Sequence, residues 1–228
     1  CTITGSNHVA VTNTLEIIGT NTDMNHLMTI TAANTKRHFY LNHANAKLIL
    51  RYLKLVGGDV SSYSSDPDRY GGSILIYTNG GELQMYFCIV SGNKGYRGGG
   101  IYTRGTSSIK VKVKVEGSRL ENNRADGLGY GGAMYISSGG TATVTSTTFT
   151  SNTASSQDYG GGAMVIRGDS TDTTLRQCSF TSNTAQNGHS ISTFKSPTIA
   201  VINTYFSDPN RNYNIYQYDG SPTWKTCS

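Results

Sequence analysis

Lys110, Lys112 and Lys114 alternate with Val111, Val113 and Val115, the one place where the otherwise dispersed basic residues form a row. Alternation of this kind puts the three ammonium groups on one face of an extended strand. Such a row could grip an acidic polysaccharide. A Lys or Arg beside an acidic sugar can also act as base or charge neutraliser in lyase or epimerase chemistry. For that chemistry the candidates are Lys112, Arg119 and Asp68; the preferred reading of the lysine row is a solvated charge ladder of small energetic weight. A second group lies in loops that carry Asp66, Asp68 and Tyr70, then Asp126 and Tyr130, then Asp158 and Tyr159. If the loops stack, Asp66, Asp68, Asp126 and Asp158 form an edge of hard oxygen ligands suited to Ca²⁺, and the tyrosines could meet a saccharide. Ordinary turn chemistry accounts for the same residues and is preferred, so no cofactor is expected. The histidines, His8, His26, His38, His43 and His189, lack metal-ligand spacing; His38 aligns with Ser73 near a corner, and local hydrogen bonding is preferred to catalysis. No Gly-x-Ser-x-Gly elbow is present.

The elements that would position these groups come from an internal repeat. Gly71-Gly72-Ser73-Ile74, Gly99-Gly100-Ile101, Gly131-Gly132-Ala133-Met134 and Gly161-Gly162-Ala163-Met164 recur at intervals near thirty residues, each followed by an apolar run ending in Asn93, Asn123, Asn152 or Asn183. Counted outward from each Asn, inward positions align through six turns. One column holds Leu48, Leu83, Val113, Ala142, Thr173 and Ile199; another holds Leu55, Val90, Leu120, Phe149, Phe180 and Phe206. A strand before them contributes Phe39, Ile74, Ile101, Met134, Met164 and Ile191. Period two identifies strand, and a repeat too short to bury its own apolar face must stack on the next. The expected fold is all-β, a single-stranded right-handed parallel β-helix of about eight coils in which the Asn side chains form a ladder. Residues 1–228 read as one domain, with 1–35 an irregular N-terminal part and 207–228 a C-terminal capping tail. Outward positions after the Gly corner read Tyr40, Leu75, Tyr102, Tyr135 and Val165. This is expected to be an exposed stripe, and Tyr40, Tyr102 and Tyr135, with Tyr70, Tyr130 and Tyr159 from the loops, are the candidate binding residues.

Composition narrows the function classes. Charged residues make up 14% of the chain, and the net charge of +5 is dispersed apart from the lysine row, so nucleic-acid binding is not expected. No run of about twenty apolar residues would span a bilayer as a helix, and no Asn precedes a Ser or Thr at the N-glycosylation spacing. The abrupt start at Cys1-Thr2-Ile3-Thr4 suggests a piece of a longer protein. Cys88 and Cys178 share one inward column three coils apart, roughly 14 Å by strand spacing, and are not expected to bond each other. Cys227 pairing with Cys178 is the minor alternative, and the state of Cys1 and Cys227 stays open.

The paired Gly-Gly-Ala-aliphatic and Phe-x-x-Asn signals, sharpest at Gly131 to Met134 with Phe149 to Asn152 and at Gly161 to Met164 with Phe180 to Asn183, resemble the repeat of the chlamydial polymorphic outer-membrane proteins. The segment Lys47 to Gly58, with Phe39-Tyr40-Leu41 before it, resembles the start of many pectin-lyase-like β-helices. The first resemblance implies an extracellular or cell-surface adhesion or structural module that binds a surface glycan or protein. The second extends to fold, and its enzymes supply the alternative: a lyase or epimerase acting on an acidic polysaccharide.

Overall fold

The computed structural model describes residues 2–3, 8–33, 35–156, 160–207 and 214–224. It is an all-β parallel solenoid of about six turns, fewer than the eight expected. Each turn runs through three long sheets in order. In one turn these are Arg119–Glu121 of the first sheet, Met134–Ser137 of the second and Gly140–Thr145 of the third. Every long sheet has eight strands, because short end strands such as Thr2–Ile3, Tyr205–Phe206 and Thr223–Trp224 extend the sheets without completing turns. A small fourth sheet, Lys94–Arg97, Arg124–Tyr130 and Thr153–Ala154, fills the corner between the first and second.

The expected register holds throughout. Leu55, Val90, Leu120, Phe149, Phe180 and Phe206 are successive partners, as are Phe39, Ile74, Ile101, Met134, Met164 and Ile191. These columns form one continuous buried core. In-register stacking puts like side chains one strand spacing apart, so Phe149 and Phe180 lie nearly parallel with ring centroids 4.6 Å apart, and Phe206 follows at 5.0 Å. Cys88 and Cys178 are buried free thiols. Burial pushes Cys88 up to about 11 and raises Cys178, which keeps both in the unreactive protonated form. Cys1 and Cys227 lie outside the described residues.

The Gly-Gly pair has two separate causes. The first glycine, at Gly71, Gly98, Gly131 and Gly161, adopts φ between +61° and +68°, where a Cβ is strained. The second has no room. A Cβ on Gly72 would lie 2.3 Å from the Gly99 carbonyl oxygen, and one on Gly132 would lie 2.2 Å from that of Gly162. The corner backbones of successive turns therefore touch, and only glycine permits the approach.

Beside this corner runs the asparagine ladder, whose four members are fully buried. Asn123 donates its backbone N–H and its Nδ2 to Asn152 Oδ1 at 3.0 and 3.1 Å, and Asn152 does the same to Asn183 at 3.1 and 3.0 Å. The second Nδ2 hydrogen goes back one turn, from Asn152 to the Leu120 carbonyl at 2.8 Å. Each amide thus ties three turns together and satisfies backbone groups that the corner would otherwise bury unpaired. On the N-terminal turns a histidine does similar work. Fully buried His38 places Nε2 3.0 Å from the Ile30 carbonyl and Nδ1 3.0 Å from Ser73 Oγ. A neutral ring donates from Nε2 and accepts the serine proton at Nδ1, and burial lowers its pKa to about 4.

Replacing Phe149 by Ala should cost about 3 to 5 kcal/mol in denaturant unfolding, because a stacked ring is removed from a core that cannot close over the gap. Because folding lowers the His38 pKa from 6.5 to about 4, its stabilisation is complete above pH 6.5 and is lost as pH falls through about 4. Unfolding measured across that window should show roughly 3 kcal/mol of acid destabilisation from this group, absent in His38→Gln.

Candidate functional site

The outward column of the second sheet is Tyr40, Leu75, Tyr102, Tyr135 and Val165, in the expected register. Its expected exposure is not observed. Tyr102 is 1% and Tyr135 2% exposed, and Leu75 and Val165 are fully buried. The cover is a second ladder, formed by the residue before each Gly corner: Tyr70, Arg97 and Tyr130 pair in that order. Tyr70 stacks on Tyr102 at 4.6 Å between centroids, and Tyr102 stacks on Tyr135 at 5.2 Å. A second apolar cluster thus lies outside the main core, sandwiched between sheet and loops. Burial, with the hydrogen bond to Asp66, pushes Tyr70 up to about 12, and burial raises Tyr102 further still. These phenols are neutral and structural at physiological pH.

Arg97 occupies the middle of the covering ladder. Its guanidinium carbon lies 5.2 Å from the Tyr70 ring centre, 5.4 Å from that of Tyr130 and 6.0 Å from that of Tyr135, in the range of cation–π attraction. Its Nε is buried without a hydrogen-bond partner among the described residues. Toward the C-terminal turns, beyond Tyr130, the outer face opens into a cavity of about 270 Å³. Tyr130, Tyr135, Phe194 and Tyr218 form its aromatic walls, and Arg97, Arg167, Lys195 and Asp219 are the charged groups. A second cavity of about 210 Å³ shares Arg97, Arg167 and Lys195 and adds Tyr102, Arg104, Ser137 and Ser138.

Strand alternation builds this groove. Arg104, Ser137, Arg167 and Phe194 are successive partners on the second sheet, two residues beyond the tyrosine column and on the same outer face. Two turns separate Arg104 from Arg167, roughly 10 Å along the solenoid. Arg104 Nη1 donates to Tyr77 Oη at 3.4 Å and Arg167 Nη1 to Tyr135 Oη at 3.5 Å. Asp219, the acidic wall residue among the described residues, accepts the Lys195 backbone N–H on Oδ1 at 2.8 Å, which braces the turn.

Of the sequence candidates, Tyr102, Tyr130 and Tyr135 line this groove. Tyr40 stands apart, half-buried, with the His8 ring edge-on at 4.9 Å and the Arg37 guanidinium carbon at 5.9 Å. Tyr159 and Asp158 lie outside the described residues. Asp66 pairs with Arg69 Nε at 2.7 Å and accepts from the Tyr70 hydroxyl, while Asp126 pairs with Arg124 Nε. Asp68 accepts Ser65 Oγ–H at 3.2 Å on its carboxylate, and its carbonyl accepts from buried Arg37. Among the described residues no three His, Cys, Asp or Glu side chains converge as a metal site. Lys112 projects from the third sheet beside Glu82, which bridges to Lys47 at 3.5 Å. Arg119 lies on the first sheet and donates Nη2 to the Met24 carbonyl at 2.6 Å. Lys112, Arg119 and Asp68 thus sit on three different parts of the surface.

Sequence reasoning passed over Arg97, Arg104, Arg167 and Lys195. Their signal was present in the repeat. Arg104 and Arg167 occupy one outward column, and Arg97 aligns with Tyr70 and Tyr130 immediately before the corner glycine. Comparison with family models, with curated proteins and with solved structures gives no significant match.

Because Tyr102 and Tyr135 fill the second apolar layer, each Tyr→Ser change should destabilise the fold by about 3 kcal/mol or more in denaturant unfolding. A loss below about 0.5 kcal/mol, the range of plain surface substitutions, would return the stripe to solvent.

Proposed function

We propose that the protein is an extracellular or cell-surface β-solenoid module that holds a surface glycan or protein partner, without chemical turnover, in the cationic and aromatic groove on the outer face of its second sheet. The observation that carries this reading is the convergence of Arg97, Arg104, Arg167 and Lys195 on two adjoining cavities beside Tyr135, Phe194 and Tyr218. Flat aromatic faces next to guanidinium groups suit an anionic ligand with an apolar or ring face. A stack of in-register turns is stiff, so the groove is pre-organised and little ordering is needed on binding. The resemblance of the Gly-Gly-Ala and Phe-x-x-Asn repeats to the polymorphic outer-membrane proteins supports an adhesive role at a cell surface. No helix among the described residues is long and apolar enough to cross a membrane. The lyase or epimerase alternative would need Lys112, Arg119 and Asp68 around one sugar carbon, and their places on the third sheet, the first sheet and a loop do not favour it.

Screening the intact chain against immobilised neutral and anionic glycans should give retention on anionic members that weakens as salt rises, since exposed charges are screened. Arg104→Gln with Lys195→Gln should lower that affinity by roughly tenfold or more, and Lys112→Gln should leave it unchanged. A loss in Lys112→Gln with none in the Arg104→Gln and Lys195→Gln variant would place the partner on the lysine row instead.

A further inference from the structure

We infer that the polar half of the groove is a subsite for a tetrahedral ester oxyanion, a sulfate or phosphate carried on a sugar ring. This rests on the binding role proposed for the groove and specifies the chemistry of its ligand. Four cationic side chains line the smaller cavity. Arg104 and Arg167 rise from strands two turns apart, Lys195 follows the next strand, and Arg97 enters from the covering loop ladder. Among the described residues none of the four is ion-paired, and the Asp219 carboxylate already holds the Lys195 amide. The smaller cavity adds Ser137 and Ser138, and among the described residues none of its lining is acidic.

The number of these donors selects the anion. A carboxylate offers two oxygens in one plane, which a single guanidinium fork satisfies. Three guanidinium groups and an ammonium group arriving from separate strands exceed that, whereas a sulfate or phosphate ester presents three terminal oxygens pointing apart. The aromatic half supplies the rest of the recognition. Phe194 and Tyr218, with centroids 5.5 Å apart, continue the wall that begins at Tyr135, and they adjoin the cationic space through the shared Arg167 and Lys195. A sugar face on these rings would direct its ester group toward the arginines.

The test is calorimetric titration, at constant ionic strength, with a sulfated dextran oligosaccharide, glucose 6-phosphate, unmodified dextran and oligogalacturonate, followed by competition with a single-stranded oligonucleotide. Wild type, Arg104→Gln and Lys195→Gln are compared, with folding checked by circular dichroism. We expect binding of the sulfated oligosaccharide, the sugar phosphate or both, which identifies the ester, and none of unmodified dextran. Either substitution should weaken it by about ten- to a hundredfold, the worth of a hydrogen bond to a charged group. Oligogalacturonate binding as tightly as the esters, and weakened by the same substitutions, would overturn the tetrahedral subsite while leaving the groove as the partner site. Ester binding indifferent to both substitutions would overturn the subsite and the proposed function together. A single-stranded oligonucleotide that outcompetes both esters would overturn the sugar-ester assignment in favour of a phosphodiester ligand.

Discussion

The contact of one turn's backbone with the next is the constraint on which the rest of the molecule depends. At the Gly-Gly corner the second glycine of each turn meets a carbonyl of the following one so closely that no side chain fits. The asparagine ladder beside it spans the same interval with two hydrogen bonds per step. Together they hold the turns at the spacing of paired strands. Once that interval is set, like residues must stack on like, and each column extends as a continuous ladder. The paired phenylalanines, the parallel tyrosines and the row of corner glycines all follow from one repeat distance.

The same constraint explains why the putting of arginines into one outward column produces a site. On a helix or a loop, Arg104 and Arg167, 63 residues apart in sequence by their numbering, would have no fixed relation. On the second sheet they share a column two turns apart, with Ser137 between them. The loop ladder then adds Arg97 from the side, framed by tyrosine rings whose faces favour a cation. Rigid strands carry most of the groove, which is the arrangement that keeps binding geometry precise.

Register was legible in the sequence because period-two patterning and the repeated Asn leave one alignment in which apolar residues always point inward, and every aligned column is realised. His38 beside Ser73 and the unbonded Cys88 and Cys178 followed from that alignment. Exposure was not legible. Alternation tells which face of a sheet a residue occupies, but it does not tell whether that face is covered, and the cover comes from Tyr70, Arg97 and Tyr130 just before the corner. Tyr102 and Tyr135 were therefore placed on the correct face and given the wrong environment. The cationic groove was missed for a related reason. Arg97, Arg104, Arg167 and Lys195 are isolated among neutral neighbours, whereas Lys110, Lys112 and Lys114 stand out as a run. Proximity across turns, rather than along the chain, is what gathers them.

Amide hydrogen exchange with and without a sulfated oligosaccharide tests the location of the partner site most directly, because it reports every turn at once. Added protection should be confined to the second sheet and its covering ladder, at residues 97–104, 134–138, 164–167 and 194–195. Protection centred on residues 110–116 of the third sheet, with those segments unchanged, would contradict it.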